Sequence, residues 1–149
     1  FLVVTDDSLR AQFAPLYHEA WWAKRHDSGW YTPDDLPDAY KGPMQLADEI
    51  GNSPVLIFVC ALAKGAAAAN SIIPSVQNLL LAARALGVGS TITTLHPTIE
   101  DRVHSLFDIP NTAQVVYCLP LGYPKGNFGP VNRKPLEEVS SFNTWGQSW

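Results

Sequence analysis

The stretch SIIPSVQNLLLAARALGVGSTITT, Ser71 to Thr94, constrains the fold of this chain more than any other. Ser71 can cap a helix, and Pro74 falls in the first turn, where a missing N–H costs little. From Val76 to Leu86 the polar side chains are Gln77, Asn78 and Arg84 alone. Apolar residues therefore cover most of the circumference, a pattern that predicts a helix buried on nearly all sides. Ala82, Ala83 and Ala85 let neighbouring elements approach closely. Gly87 is the expected left-handed residue at the helix end, with Val88 folding back over Ala83. Gly89 frees the next loop, and Ser90 to Thr94 carry no charge and several hydroxyls. A buried helix that delivers such a loop presents backbone amides to a flat ligand.

The size, 149 residues, predicts one domain spanning 1–149 with a real core, and 46% apolar against 16% charged residues excludes a disordered chain. A net charge of −4 argues against nucleic-acid binding, which needs a basic face. The longest strongly apolar run, Val55 to Ala63, is far shorter than the ~20 residues of a membrane helix, so no membrane partner is expected. Cys60 and Cys118 sit in apolar runs and read as small buried hydrophobes in place of a disulfide, which fits a reducing cytoplasm. Phe1 is not a methionine, and FLVV reads as a strand already under way. The chain reads as a fragment whose natural N-terminus lies upstream.

Along the chain, Phe1–Val4 is the first expected strand, followed by turn residues and a helix from about Leu9 to Lys24 with Pro15 inside it. Residues 25–46 hold three prolines and several aromatic residues: Trp30, Tyr31 and Tyr40. They read as an exposed excursion with short helical turns at most, whose aromatic groups either cover a ligand or pin the loop to the core. Asp48–Pro54 reads as a turn, Val55–Leu62 as a strand buried on both faces, and Lys64–Asn70 as a small-residue loop. Pro97 begins a second helix with Glu100 and Asp101 near its start, and Ala113–Leu121 is another buried strand. A glycine- and proline-rich segment and an aromatic, polar tail follow. The elements predict an α+β or α/β domain around a central sheet.

Few constellations carry chemistry. GVGS at 87–90 follows a helix and lacks a third glycine, so it is not a dinucleotide loop. The pairs His18/His26 and His96/His104 have no cysteine or carboxylate to complete a metal site. Asp34, Asp35 and Asp38 read as solvated. No side chain stands out as acid, base or nucleophile, which leaves the chemistry to a cofactor. Arg133 is the one cation singled out, either as a phosphate contact or as a solvated loop residue.

The segments SIIPSVQNLLLAARALGVGSTITTLH, PLGYP and FGPVNRKPLEEV, with the opening FLVVTDDSLR, together resemble the FMN-dependent nitroreductase family. The resemblance implies an α+β sandwich with a central mixed sheet flanked by helices, and two intertwined subunits binding FMN at their interface. It sets Ile92, Thr93, Thr94 and Leu95 beside the flavin ring, with a backbone amide near Thr94 facing N5, and Arg133 at the FMN phosphate. The family's arginine-rich N-terminal segment and its serine- and asparagine-containing loop have no counterpart in the sequence. The implied activity is hydride transfer from NAD(P)H through FMN to a nitroaromatic, quinone or similar small acceptor, with no catalytic side chain assigned. Alternatives are a flavin-free or truncated member with a binding role, and a flavin-converting synthase of the same fold. A homodimer is expected, in part because the aromatic tail (Phe142, Trp145, Trp149) needs a place to bury.

Overall fold

A computed structural model describes residues 1–148. Trp149 lies outside the described residues. The first strand, β1 (Leu2–Val4), leads to helix α1 (Asp7–His26), whose N-cap is Asp6, its carboxylate accepting from the Leu9 amide at 2.8 Å. The helix runs through Pro15, and Lys24, Arg25 and His26 occupy its last turn, where the dipole favours cations. Tight turns at Pro33–Asp35 and Asp38–Tyr40 lead into α2 (Lys41–Glu49), and a further turn, Ile50–Asn52, precedes β2 (Val55–Ala61). Then come α3 (Ala66–Ser71), α4 (Ile73–Ala85), β3 (Gly89–Ser90), α5 (Glu100–Leu106), β4 (Gln114–Gly122) and the short α6 (Leu136–Val139).

The sheet has strand order β1-β2-β4-β3, and every pairing in it is antiparallel. It is an α+β architecture, as the sequence implies, but its sheet is not mixed. Helices α3 and α4 do form a crossover that returns β3 in the same direction as β2. Strand β4 sits between those two, antiparallel to both, so no parallel pair forms.

Alternation along β2 and β4 sends side chains to two faces. Leu56, Phe58 and Cys118 join the larger core under α1, α2 and α5, with Phe13, Tyr17, Trp21, Ile50 and Val103. Phe13 lies edge-on to Phe58, ring centroids 4.9 Å apart. Ile57, Val59 and Leu119 point the other way, against Val76 of α4. The result is a helix–sheet–helix sandwich. Arg10 ties α1 to the turn before β2, its guanidinium donating to the carbonyls of Gly51 (3.1 Å) and Ser53 (2.7 Å).

Helix α4 departs from expectation in two ways. Ser71 does not cap it: Ser71 ends α3, its hydroxyl donating to the Ala68 carbonyl at 2.7 Å. Nor is α4 buried all round. Only Val76 and Ala83 are buried, while Leu81 is 57% and Leu86 78% exposed. One stretch, Ala66–Ala85, is long and apolar enough by length and composition to cross a membrane, with 11% of it buried; inspection of unbroken apolar runs misses it. The C-terminal end follows expectation. Gly87 has φ +76°, and the Val88 amide donates to the Ala83 carbonyl at 2.9 Å.

Candidate functional site

The loop after α4 is held by one residue. Thr93 forms an isolated bridge with Cys118 of β4: its amide donates to the Cys118 carbonyl (3.0 Å), and the Cys118 amide donates back (2.9 Å). The Thr93 hydroxyl donates to the same carbonyl at 2.9 Å. Thr93 is buried, and its N–H is spent inside the protein. Ile92 and Thr94, on either side, are exposed, and the amides of Thr94 and Leu95 have no acceptor among the described residues. The bridge thus spends the Thr93 amide and leaves the next two without a protein partner.

This loop walls a cavity of about 520 Å³. Thr91–Thr94 form one side; Tyr17, Ala20, Trp21, Lys24 and Arg25 of α1 form another; Gly42, Pro43 and Leu46 of α2 close it. A second groove of about 580 Å³ shares Gly42, Leu46 and Thr91 with the first and continues past Ser90, Gly122 and Lys125. The Lys24 ammonium donates to the Thr94 hydroxyl at 3.3 Å, fixing the loop to α1. Burial pushes the Tyr17 phenol above its ordinary pKa, with the Thr93 hydroxyl and the Arg25 charge pulling the other way.

The expected site residues separate. Ile92, Thr93 and Thr94 line the first cavity; Leu95 does not, and lines a separate, smaller cavity of about 140 Å³ with His96 and His104. Arg133 is exposed in the extended segment between β4 and α6, and lines neither the first cavity nor the groove beside it. Sequence inspection missed Tyr17, Trp21, Lys24 and Arg25. The helical spacing of Tyr17 and Trp21 signalled only a core face, Lys24 stood at the expected helix end, and Arg25 was counted with the exposed excursion 25–46. The aromatic groups of residues 25–46 mainly pin that excursion: Trp30 packs edge-on to Tyr40 at 4.9 Å, and Tyr40 and Met44 lie against the larger core. Tyr31 stacks on His26 at 5.1 Å while remaining largely exposed.

Cys60 and Cys118 are free thiols, and burial pushes Cys118 up to about 12. No cluster of three or more metal-ligating side chains occurs among the described residues. The histidines pair with single carboxylates instead, His96 with Asp27 at 3.0 Å and His18 with Asp48 at 3.3 Å.

Residues 1–123 match the family model described as "Nitroreductase family", and the chain belongs to that family. A Methanothermobacter thermautotrophicus protein named "Putative NADH dehydrogenase/NAD(P)H nitroreductase" is 46% identical over 56 residues, a match covering 36% of this chain and 29% of that relative. Among solved structures, oxidized iodotyrosine deiodinase bound to FMN and 3-iodo-L-tyrosine superposes with a TM-score of 0.71 at 20% identity, covering 97% of this chain and 75% of the other. A nitroreductase with bound FMN from Bacteroides fragilis gives a TM-score of 0.61 at 17% identity, covering 94% and 73%. At these identities the superpositions show a shared fold.

Proposed function

We propose that this chain forms the flavin-facing half of an FMN-dependent oxidoreductase that takes reducing equivalents from NAD(P)H and passes them to a nitroaromatic, quinone or similar small acceptor. The observation that carries the proposal is the Thr93–Cys118 bridge, which leaves the neighbouring Thr94, a residue of the aromatic-walled cavity, with an amide that has no acceptor among the described residues. An unpaired amide donor suits a ring nitrogen or carbonyl of a flat heterocycle, and the exposed Ile92 side chain offers an apolar surface. FMN, when bound, supplies the two-electron redox chemistry. The protein's own groups orient and polarise. The Thr94 amide is a donor held in place in advance, which costs no reorganisation during reaction. Tyr17 and Trp21 exclude water from the inner wall, and Arg133 is carried over to the phosphate by the resemblance of its segment to the family, its planar fork being suited to that group.

The same reading includes a homodimer. The outer face of α4, with Ile73, Leu81 and Leu86 exposed, is an apolar surface that a second copy would cover. Trp145 is fully exposed as well, and a partner copy would offer its ring a place to bury. The two free cysteines fit a cytoplasmic setting.

The test is anaerobic titration of the flavin-loaded protein with NADPH and NADH, followed by absorbance, then addition of a nitroaromatic or a quinone. Bleaching by a nicotinamide and recovery with acceptor is the expected result. Flavin that neither nicotinamide reduces would contradict the proposal.

A further inference from the structure

Arg25 is unusual among the cations of this protein. Its Nε is buried with no hydrogen-bond partner, and no ion pair or hydrogen bond ties its guanidinium to any described residue. It is nevertheless fixed in place: the guanidinium carbon lies 4.5 Å from the Trp21 ring centroid and 4.7 Å from that of Tyr40. A ring face stabilises positive charge but offers no lone pair, so these contacts orient the group and leave its directed donors unmatched. Three of the four acids close to it in sequence are engaged elsewhere. Asp27 pairs with His96 at 3.0 Å, Asp35 accepts from the amides of Tyr31 and Thr32, and Asp38 pairs with Lys41 at 2.7 Å.

Arg25 lines the 520 Å³ cavity together with Lys24, and no acidic residue lines it. Two cations on one wall facing no carboxylate give that end of the cavity a positive potential, which the half-buried setting screens less than open water does. Pro43 and Leu46 of α2 and Ile92 of the loop add apolar surface, beside the hydroxyl-bearing Thr91 and Thr94. A planar fork held by aromatic rings matches a carboxylate in two-point geometry.

We infer that Arg25 is an anion-recognition residue, and that the acceptor taken by this cavity is an aromatic molecule bearing a carboxylate. The inference rests on the oxidoreductase reading for the word acceptor, and on the cavity alone for the binding. Lys24 commits one of its three donors to the Thr94 hydroxyl, whereas no donor of the Arg25 guanidinium has a hydrogen-bond partner among the described residues.

The test is isothermal titration of the protein as purified, without reductant, with 4-nitrobenzoate and its uncharged counterpart 4-nitrobenzamide. Wild type should bind the carboxylate roughly tenfold more tightly than the amide, the scale of one charge-assisted contact. Arg25→Gln should abolish that preference by weakening 4-nitrobenzoate alone, and Arg25→Lys should keep part of it because the charge remains while the fork is lost. Since Arg25 also packs between two rings, melting curves accompany each variant, and Lys retention of preference reports charge recognition independently of packing. Equal affinity of wild type for the two ligands, or an equal loss of both in Arg25→Gln, overturns the inference. Flavin reduced by a nicotinamide with no carboxylate preference overturns it while leaving the oxidoreductase reading intact. Carboxylate preference in a protein that binds no flavin supports the site and overturns that reading instead.

Discussion

Thr93 and Cys118 are joined by three hydrogen bonds, two between their backbones and one from the threonine hydroxyl to the Cys118 carbonyl at 2.9 Å. This linkage fixes the loop after α4 to the centre of the sheet and determines which amides remain free. Thr93→Val keeps the shape and the backbone bridge but removes the hydroxyl bond. The expected loss is about 1 kcal/mol of unfolding free energy, the net value of one such bond. Urea unfolding with an unchanged slope checks it, and unaltered stability would show that the hydroxyl contributes nothing.

The two thiols should differ in reactivity. The thiolate is the nucleophile, and Cys118 is fully buried with its pKa pushed up to about 12. Cys60 is also raised by burial, but it is only half-buried. Alkylation of the native protein at mildly alkaline pH should modify Cys60 slowly and leave Cys118 untouched until urea is added. Peptide mapping that finds Cys118 labelled in the native state would contradict the buried bridge.

Two glycines separate sterics from backbone strain. A Cβ at Gly51 would lie 2.8 Å from the Ala14 Cβ, whereas one at Gly87 meets nothing within 4 Å but would have to accept φ +76°. Gly51→Ala is expected to cost about 1–3 kcal/mol by forcing α1 away from the turn before β2. Gly87→Ala should cost about 1–2 kcal/mol through the left-handed conformation alone. Thermal melts of both variants check this, and a neutral Gly51→Ala would mean that α1 sits less tightly on that turn.

Hydrogen bonds from the Tyr31 and Thr32 amides and the Thr32 hydroxyl hold Asp35 below the usual carboxylate range. Because the folded pKa is depressed, this contribution is present in full above the ordinary aspartate range. It is lost as pH falls through the folded value. Exchange of the Tyr31 and Thr32 amides, followed by NMR from neutral to strongly acidic pH and corrected for intrinsic rates, should show protection falling in that window. Asp35→Asn should remove the pH dependence, and protection independent of pH in the wild type would exclude the carboxylate as its source.

Much of the frame was legible because β2 and β4 are continuous apolar runs and because Gly87, Ala83 and Val88 mark a helix end by chemistry alone. Other parts were not legible. The alanine run of α3 reads as loop if small size is weighed above alanine's helix propensity. Helix α2 begins despite Gly42 and Pro43, since a proline in the first turn removes no needed donor. The apolar circumference of α4 signals a surface to be covered without saying by what, and in the single chain half of it faces out. Arg25 escaped notice because its environment joins α1 to Tyr40, residues that only the folded excursion brings together.

The account rests on the loop around Thr94 as the place where a flavin meets the cavity. Mass spectrometry of the small molecule released by heating the purified protein, with titration of added FMN into the same preparation, tests this most directly. FMN recovered at about one per chain, or rebound after removal with Thr94→Pro weakening it by deleting one of the free amides, is the predicted result. A preparation that carries no flavin and takes up none when FMN is added would contradict it.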